Sequence, residues 1–132
     1  MLRNQRYLRA IKMESSKKYR WHKIADNITD ISFSAEGLAQ VDVAGKTVCI
    51  AYKNDRLHAC TQKCPHAGGT MADGFIDALG NIVCPLHRYK FNLDTGRNIS
   101  GEGYFLKTFP VEIREDGVFV GFAENNLFGW LK

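Results

Sequence analysis

Four residues with metal-binding side chains stand in two short clusters of this chain. One residue separates Cys64 from His66, two separate Cys84 from His87, and seventeen lie between His66 and Cys84. Each cluster opens on Cys-Pro and offers one thiolate and one imidazole. One sulfur and one nitrogen ligand from each of two loops suits a [2Fe–2S] cluster in which one iron is bound by sulfur and the other by nitrogen. The spacing therefore predicts a centre that moves single electrons.

A structural zinc site is an alternative use of the same four residues, since two Cys and two His also satisfy tetrahedral zinc. Zinc sites usually pair Cys with Cys two to four residues apart, and His with His three to five residues apart. Here each loop mixes the two types, and the gap between Cys64 and His66 is tight for a single ion. The spacing favours an iron–sulfur centre over zinc and over chance occurrence.

The other two cysteines do not indicate a disulfide framework. Cys49 lies in the apolar stretch Thr47 to Tyr52, where it is expected to pack as a small hydrophobic residue. Cys60 is then the one cysteine left without an assigned role. A chain of 132 residues can bury a core without disulfides, so we predict a reducing, cytoplasmic location. The longest apolar runs are about five residues, far short of the ~20 that span a bilayer, and no membrane span is predicted.

Charge and composition divide the chain into three segments. Residues 1–20 hold seven basic residues and one acidic residue, whereas the remainder is slightly acidic. We predict a flexible basic extension at 1–18, one domain at 19–124 and an apolar tail at 125–132. A basic arm can bind nucleic acid, but no aromatic-rich basic groove accompanies it, so no nucleic-acid partner is predicted.

The body of the chain reads as many short strands separated by turns. Leu38 to Val43 alternates apolar and polar side chains, and Thr47 to Tyr52 is rich in residues that favour strands. Phe109 to Ile113 and Val118 to Phe122 flank Asp116-Gly117, a hairpin signal. Further short strands are expected at Leu57 to Cys60, around Phe75 to Val83 and at Tyr89 to Leu93. This pattern predicts an all-β fold, a small antiparallel barrel or sandwich.

The sequence around the four residues resembles the Rieske [2Fe–2S] family. Cys64-Pro65-His66-Ala67-Gly68-Gly69 resembles its first cluster loop, at 64–69. Cys84-Pro85-Leu86-His87-Arg88-Tyr89-Lys90-Phe91 resembles its second, at 84–91, and the likeness extends over about residues 20–122. The resemblance implies an antiparallel Rieske-type β-sandwich with a small cluster-binding subdomain. It also implies one cluster, with Cys64 and Cys84 on one iron and His66 and His87, through Nδ1, on the other.

Departures from the family pattern indicate which kind of member this is. High-potential respiratory members carry a disulfide across the two loops, at positions that match Gly69 and Leu86 here. They also donate hydroxyl hydrogen bonds to the cluster from positions that match Tyr89 and Phe91. Phe91 has no hydroxyl, and the Tyr89 hydroxyl need not reach the cluster. Fewer donors stabilise the reduced cluster less, so we predict a potential toward the low end of the family range.

The resemblance implies a soluble ferredoxin that takes electrons from a flavin-dependent reductase and delivers them to a ring-hydroxylating oxygenase. The alternative is an electron-transfer subunit of a reductase, such as nitrite reductase. The terminal oxygenase is excluded because only His22 and His58 remain for a second iron site. Gly68 and Gly69 are expected to let the backbone approach the cluster, and Arg88 is either a steering charge or an ordinary surface charge.

Overall fold

The computed structural model describes residues 18–66 and 68–124, which form ten strands and two short 3₁₀ turns. Most of the predicted basic extension and the whole apolar tail lie outside these residues. The strands are β1 (Tyr19–Ala25), β2 (Leu38–Val43), β3 (Lys46–Lys53), β4 (Arg56–Thr61), β5 (Phe75–Ile76), β6 (Asn81–Val83), β7 (Lys90–Asn92), β8 (Thr108–Phe109), β9 (Val111–Arg114) and β10 (Gly117–Ala123). The 3₁₀ turns span Ile28–Asp30 and Met71–Asp73. Within the described residues, no helix is long and apolar enough to cross a membrane.

The strands form three antiparallel sheets, which confirms the predicted all-β antiparallel fold. One sheet has the order β1-β10-β9, and a second has the order β2-β3-β4-β8. The third, β5-β6-β7, is a small sheet that carries the second cluster loop. The predicted hairpin at Asp116-Gly117 is present as the pairing of β9 with β10, in which Gly117 lies opposite Arg114.

Strand β3 is buried on both faces and joins two hydrophobic cores. Val48 and Ile50 point into the core that also contains Val118 and Val120 of β10. The alternate residue Cys49 points into the core that contains both cluster-loop cysteines, Cys64 and Cys84. A strand covered on both sides needs apolar residues at consecutive positions, which explains the unbroken apolar run from Val48 to Ala51. The core that contains Cys49, Cys64 and Cys84 fixes the cluster loops to the sheet β2-β3-β4-β8, which we call the main sheet.

The predicted strand from Phe109 to Ile113 is divided by Pro110. Thr108–Phe109 pairs with β4, whereas Val111–Arg114 pairs with β10 in a different sheet. Proline has no N–H to donate to a ladder, and it commonly marks a strand end or a bend. Its carbonyl still accepts a hydrogen bond from the Gly121 N–H at 2.9 Å. The chain therefore crosses from one sheet to the other at this residue.

The Ile50→Ala substitution tests the core that joins the two larger sheets. Ile50 is fully buried, so removing its side-chain carbons should lower the free energy of unfolding by about 2–5 kcal/mol. Ile113→Ala is the matched control, because Ile113 is 60% exposed. Urea unfolding followed by circular dichroism measures both variants. Equal losses in the two would contradict this description of the core.

Candidate metal centre

Two loops carry the four predicted ligands, and each loop is closed by its own backbone hydrogen bonds. In the first loop the Cys64 N–H donates to the Gly69 carbonyl at 2.7 Å, and the Gly68 N–H donates to the Cys64 carbonyl at 2.9 Å. In the second loop the Cys84 N–H donates to the Tyr89 carbonyl at 2.9 Å. The first loop follows β4, and the second joins β6 to β7. Strands thus hold the second loop at both ends, whereas β4 and the 3₁₀ turn Met71–Asp73 flank the first loop.

The second loop turns through two consecutive residues in the left-handed region. His87 has φ 63° and Arg88 has φ 58°. Residues other than glycine adopt this conformation at a cost of roughly 1–2 kcal/mol each, so it persists where the surrounding structure requires it. The turn ends at Tyr89, whose carbonyl closes the loop on Cys84. The strained turn therefore helps to determine where His87 lies in space relative to Cys84.

The structure brings the four predicted residues together as a pair of thiols and a pair of imidazoles. Cys64 and Cys84 lie in the same buried core, where the Cys64 thiol contributes to the raised pKa of Cys84. The rings of His66 and His87 have centroids 5.0 Å apart, edge to face at 67°. Within residues 18–66 and 68–124, no three Cys, His, Asp or Glu side chains surround one point where a single ion would bind. Two separate pairs match a centre with one sulfur-bound and one nitrogen-bound iron.

The thiol pair lies in the protein interior. Cys84 has no exposed surface, and Cys64 is 2% exposed. Burial raises the pKa of Cys84 to about 11, and the neighbouring Cys64 thiol adds to the shift, while the Leu86 N–H that donates to the sulfur opposes it. A buried thiolate needs compensating positive charge, which ferric iron supplies. The environment of Cys84 is therefore suited to a thiolate that binds a cation.

One nitrogen of the imidazole pair is buried without a hydrogen-bond partner. His66 Nδ1 is the one such side-chain nitrogen or oxygen atom among the described residues. Buried polar atoms nearly always have a partner, and an exception needs an explanation. A coordinate bond to iron would satisfy this nitrogen, and Nδ1 is the atom that the family resemblance assigns to the metal. The four residues thus fit a [2Fe–2S] cluster.

The two loops are packed directly against each other at Gly69. A β-carbon added at Gly69 would lie 3.0 Å from Cys84 Sγ and 3.1 Å from Leu86 Cδ1. Gly69 and Leu86 are the positions that were matched to the disulfide of respiratory members, and here they are neighbours without a bridge. Gly68 has φ +72° and open space around it, so its role is conformational. Gly69 therefore allows the first loop to lie close to Cys84, and the approach of the Gly68 and Gly69 backbone to the cluster itself stays a prediction.

Aromatic rings cover His66. Tyr89 stacks on its imidazole with ring centroids 3.8 Å apart and an angle of 21°. Tyr104 lies 5.5 Å from the same ring. Tyr104 was not identified from the sequence as part of the site. The remaining histidines lie elsewhere: His22 packs against Phe122, and His58 Nδ1 is 3.4 Å from Asp94.

The fold and the site are those of an iron–sulfur electron-transfer domain. The family model for the Rieske [2Fe–2S] domain matches residues 21–110. The chain therefore belongs to the Rieske [2Fe–2S] family, and its cofactor is a Rieske [2Fe–2S] cluster. The family assignment favours this cluster over the structural zinc site considered above.

Relatives with known names agree with this assignment. The chain is 32% identical over 81 residues to the ferredoxin component of a naphthalene 1,2-dioxygenase system from Pseudomonas aeruginosa, a match that covers 61% of this chain and 77% of that protein. Among solved structures, a complex of reduced oxygenase and oxidised ferredoxin in carbazole 1,9a-dioxygenase matches at 26% identity. That match has a TM-score of 0.65 and covers 76% of this chain and 91% of the other.

A second solved structure extends the likeness of fold. A candidate NADH-dependent nitrite reductase small subunit from Mycobacterium tuberculosis matches with a TM-score of 0.68 at 19% identity. The match covers 81% of this chain and 98% of that chain. At this identity the likeness concerns the fold alone.

Gly69→Ala should lower the amount of cluster that the protein retains. The added methyl group would press on Cys84 Sγ and Leu86, and so would displace the second loop from the first. Iron and acid-labile sulfide per chain, with the visible absorption spectrum, measure the effect. Gly80→Ala is the control, because its φ of +85° imposes backbone strain while no atom lies within 4 Å of the added carbon. Full cluster content in Gly69→Ala would refute the proposed contact.

Proposed function

We propose that this protein is a one-electron carrier whose cluster is held by Cys64 and Cys84 on one iron and by His66 and His87 on the other. The support is the separation of thiols and imidazoles into two pairs, together with the unpartnered Nδ1 of His66. When bound, such a cluster accepts and releases one electron at a time. Two thiolates favour ferric iron, and two neutral imidazoles leave the other iron easier to reduce.

The observation that carries this proposal is the difference in exposure between the two pairs. Both thiols are buried, whereas His66 is half-buried and His87 is exposed. Leu86, next to His87 in the chain, is 45% exposed. Electrons then enter and leave at the imidazole side, where a partner can approach, while the surrounding core excludes water from the sulfur side.

The proposed acceptor is a ring-hydroxylating oxygenase, and the proposed donor is a flavin-dependent reductase. Support comes from the relative named as a dioxygenase ferredoxin component and from the matched ferredoxin–oxygenase complex. We place the protein in the cytoplasm, since Cys49 and Cys60, the two cysteines outside the proposed ligand set, form no disulfide within the described residues. The nitrite reductase small subunit shares the fold, so a redox subunit of a larger reductase is the second candidate.

Two measurements test the proposal. In a redox titration of the holoprotein, the signal of the reduced cluster should follow a one-electron curve, and mixing the reduced protein with cytochrome c should reduce one haem per cluster. A two-electron curve, or reduced protein that cannot pass its electron on, would refute a carrier function. Affinity purification from the native cell separates the two candidates: a carrier is recovered alone, whereas a reductase subunit is recovered with a large subunit.

We expect a midpoint potential below zero at neutral pH, within a family range of roughly −150 to +300 mV. Phe91 is fully buried in the core that contains the cluster cysteines and has no hydroxyl. The Tyr89 ring stacks on the His66 imidazole, with ring centroids 3.8 Å apart, so we expect its hydroxyl to make no hydrogen bond to the cluster.

Tyr89→Phe should therefore leave the potential unchanged, as measured by a redox titration followed by EPR. The variant keeps the aromatic ring that covers His66 and removes only the hydroxyl. A midpoint well above zero in the unmodified protein, or a clear fall in the variant, would show that hydroxyl donors reach the cluster after all.

A further inference from the structure

A groove lined by lysines runs along the end of the main sheet beside the first cluster loop. We call it the basic groove; its volume is about 680 Å³, and its charged lining residues are Lys46, Lys63 and Lys107. No acidic residue lines it. Because the chain beyond residue 20 is slightly acidic overall, this positive region contrasts with the rest of the body.

The three lysines keep their positive charge available. Among the described residues, none of the ion pairs involves Lys46, Lys63 or Lys107. Lys46 Nζ lies 5.0 Å from the centre of the Phe122 ring, and Lys107 Nζ lies 5.6 Å from that of Phe109. A cation–π contact orients an ammonium group without neutralising it.

A rigid floor supports the groove. Phe109 and Phe122, which lie under the two lysines, pack edge to face with centroids 4.9 Å apart. Gln62 is buried, donates to Gln40 Oε1 at 2.6 Å and accepts the Ala72 N–H at 3.1 Å. These contacts form a packed floor from which the exposed lysines project.

The groove adjoins the first cluster loop. Lys63 immediately precedes the predicted ligand Cys64, and Gly68 and Thr70 of the lining flank Gly69, the residue that packs against Cys84. A molecule bound in the groove therefore lies beside the first cluster loop. Charge placed next to an electron-transfer site raises the rate at which a partner of opposite charge arrives and orients it on arrival.

We propose that the basic groove receives a carboxylate-rich segment on the surface of the redox partner. This inference rests on the proposed electron-transfer function and adds the chemistry by which the partner is chosen. The lysines are exposed and spread over an open groove, which suits several carboxylates along a peptide. A small anion would need buried donors that converge on one point, and the lining offers none that is charged and buried.

A labelled hexaglutamate peptide is a direct probe of the groove. Its binding to the oxidised holoprotein, followed by fluorescence anisotropy at low salt, should weaken about tenfold in the Lys46→Glu and Lys107→Glu double variant. The control double variant, Lys18→Glu and Lys53→Glu, carries the same net charge change outside the groove and should bind within about twofold of the unmodified protein. The milder pair Lys46→Gln and Lys107→Gln should give an intermediate loss.

Three outcomes would overturn the inference. Equal weakening in the groove and control variants would mean that net charge alone binds the peptide. Unchanged binding in the groove variants would place the peptide elsewhere. Displacement of the peptide by inorganic phosphate, where sodium chloride at the same ionic strength has no effect, would indicate a small-anion site. The peptide-binding measurement needs no electron transfer, so its failure can be distinguished from a failure of the redox titration that tests the proposed function.

Discussion

The contact between the two cluster loops at Gly69 is the constraint on which the centre depends. The four proposed ligands come from two loops and must keep their positions while the charge of the metal centre changes, since any rearrangement slows electron transfer. The absence of a side chain at Gly69 allows the first loop to pack against Cys84 and Leu86 of the second. The core beneath, which contains Cys64, Cys84 and Phe91, ties both loops to the main sheet. Among the described residues, packing and not a disulfide joins the two loops.

Much of the fold could be predicted because its signals are local in the sequence, and the four candidate ligands, whose role stays a prediction, were chosen from equally local signals. Cys64, His66, Cys84 and His87 were found from residue type and short spacing, which do not depend on the path of the chain. Strand β2 was predicted with its observed bounds, because a half-buried strand alternates visibly. Strand β3 is buried on both faces, so its consecutive apolar residues make it equally easy to recognise in the sequence.

Features set by distant contacts could not be predicted in the same way. Tyr104 lies near His66 only because the loop after β7 returns to the cluster face, and nothing in its own neighbourhood marks it. The role of Pro110 depends on the two sheets that lie on either side of it. The basic groove likewise combines lysines from three separate parts of the chain, so their common surface emerges only from the sheet order.

The central claim is that the imidazoles of His66 and His87 bind one iron of the cluster. Pulsed EPR of the dithionite-reduced protein, labelled with ¹⁵N only in histidine, tests it most directly. The account predicts two strongly coupled ¹⁵N nuclei, with both couplings retained when His22 and His58 are replaced by Gln. A spectrum without histidine nitrogen couplings, or one that changes with His22 or His58, would contradict it.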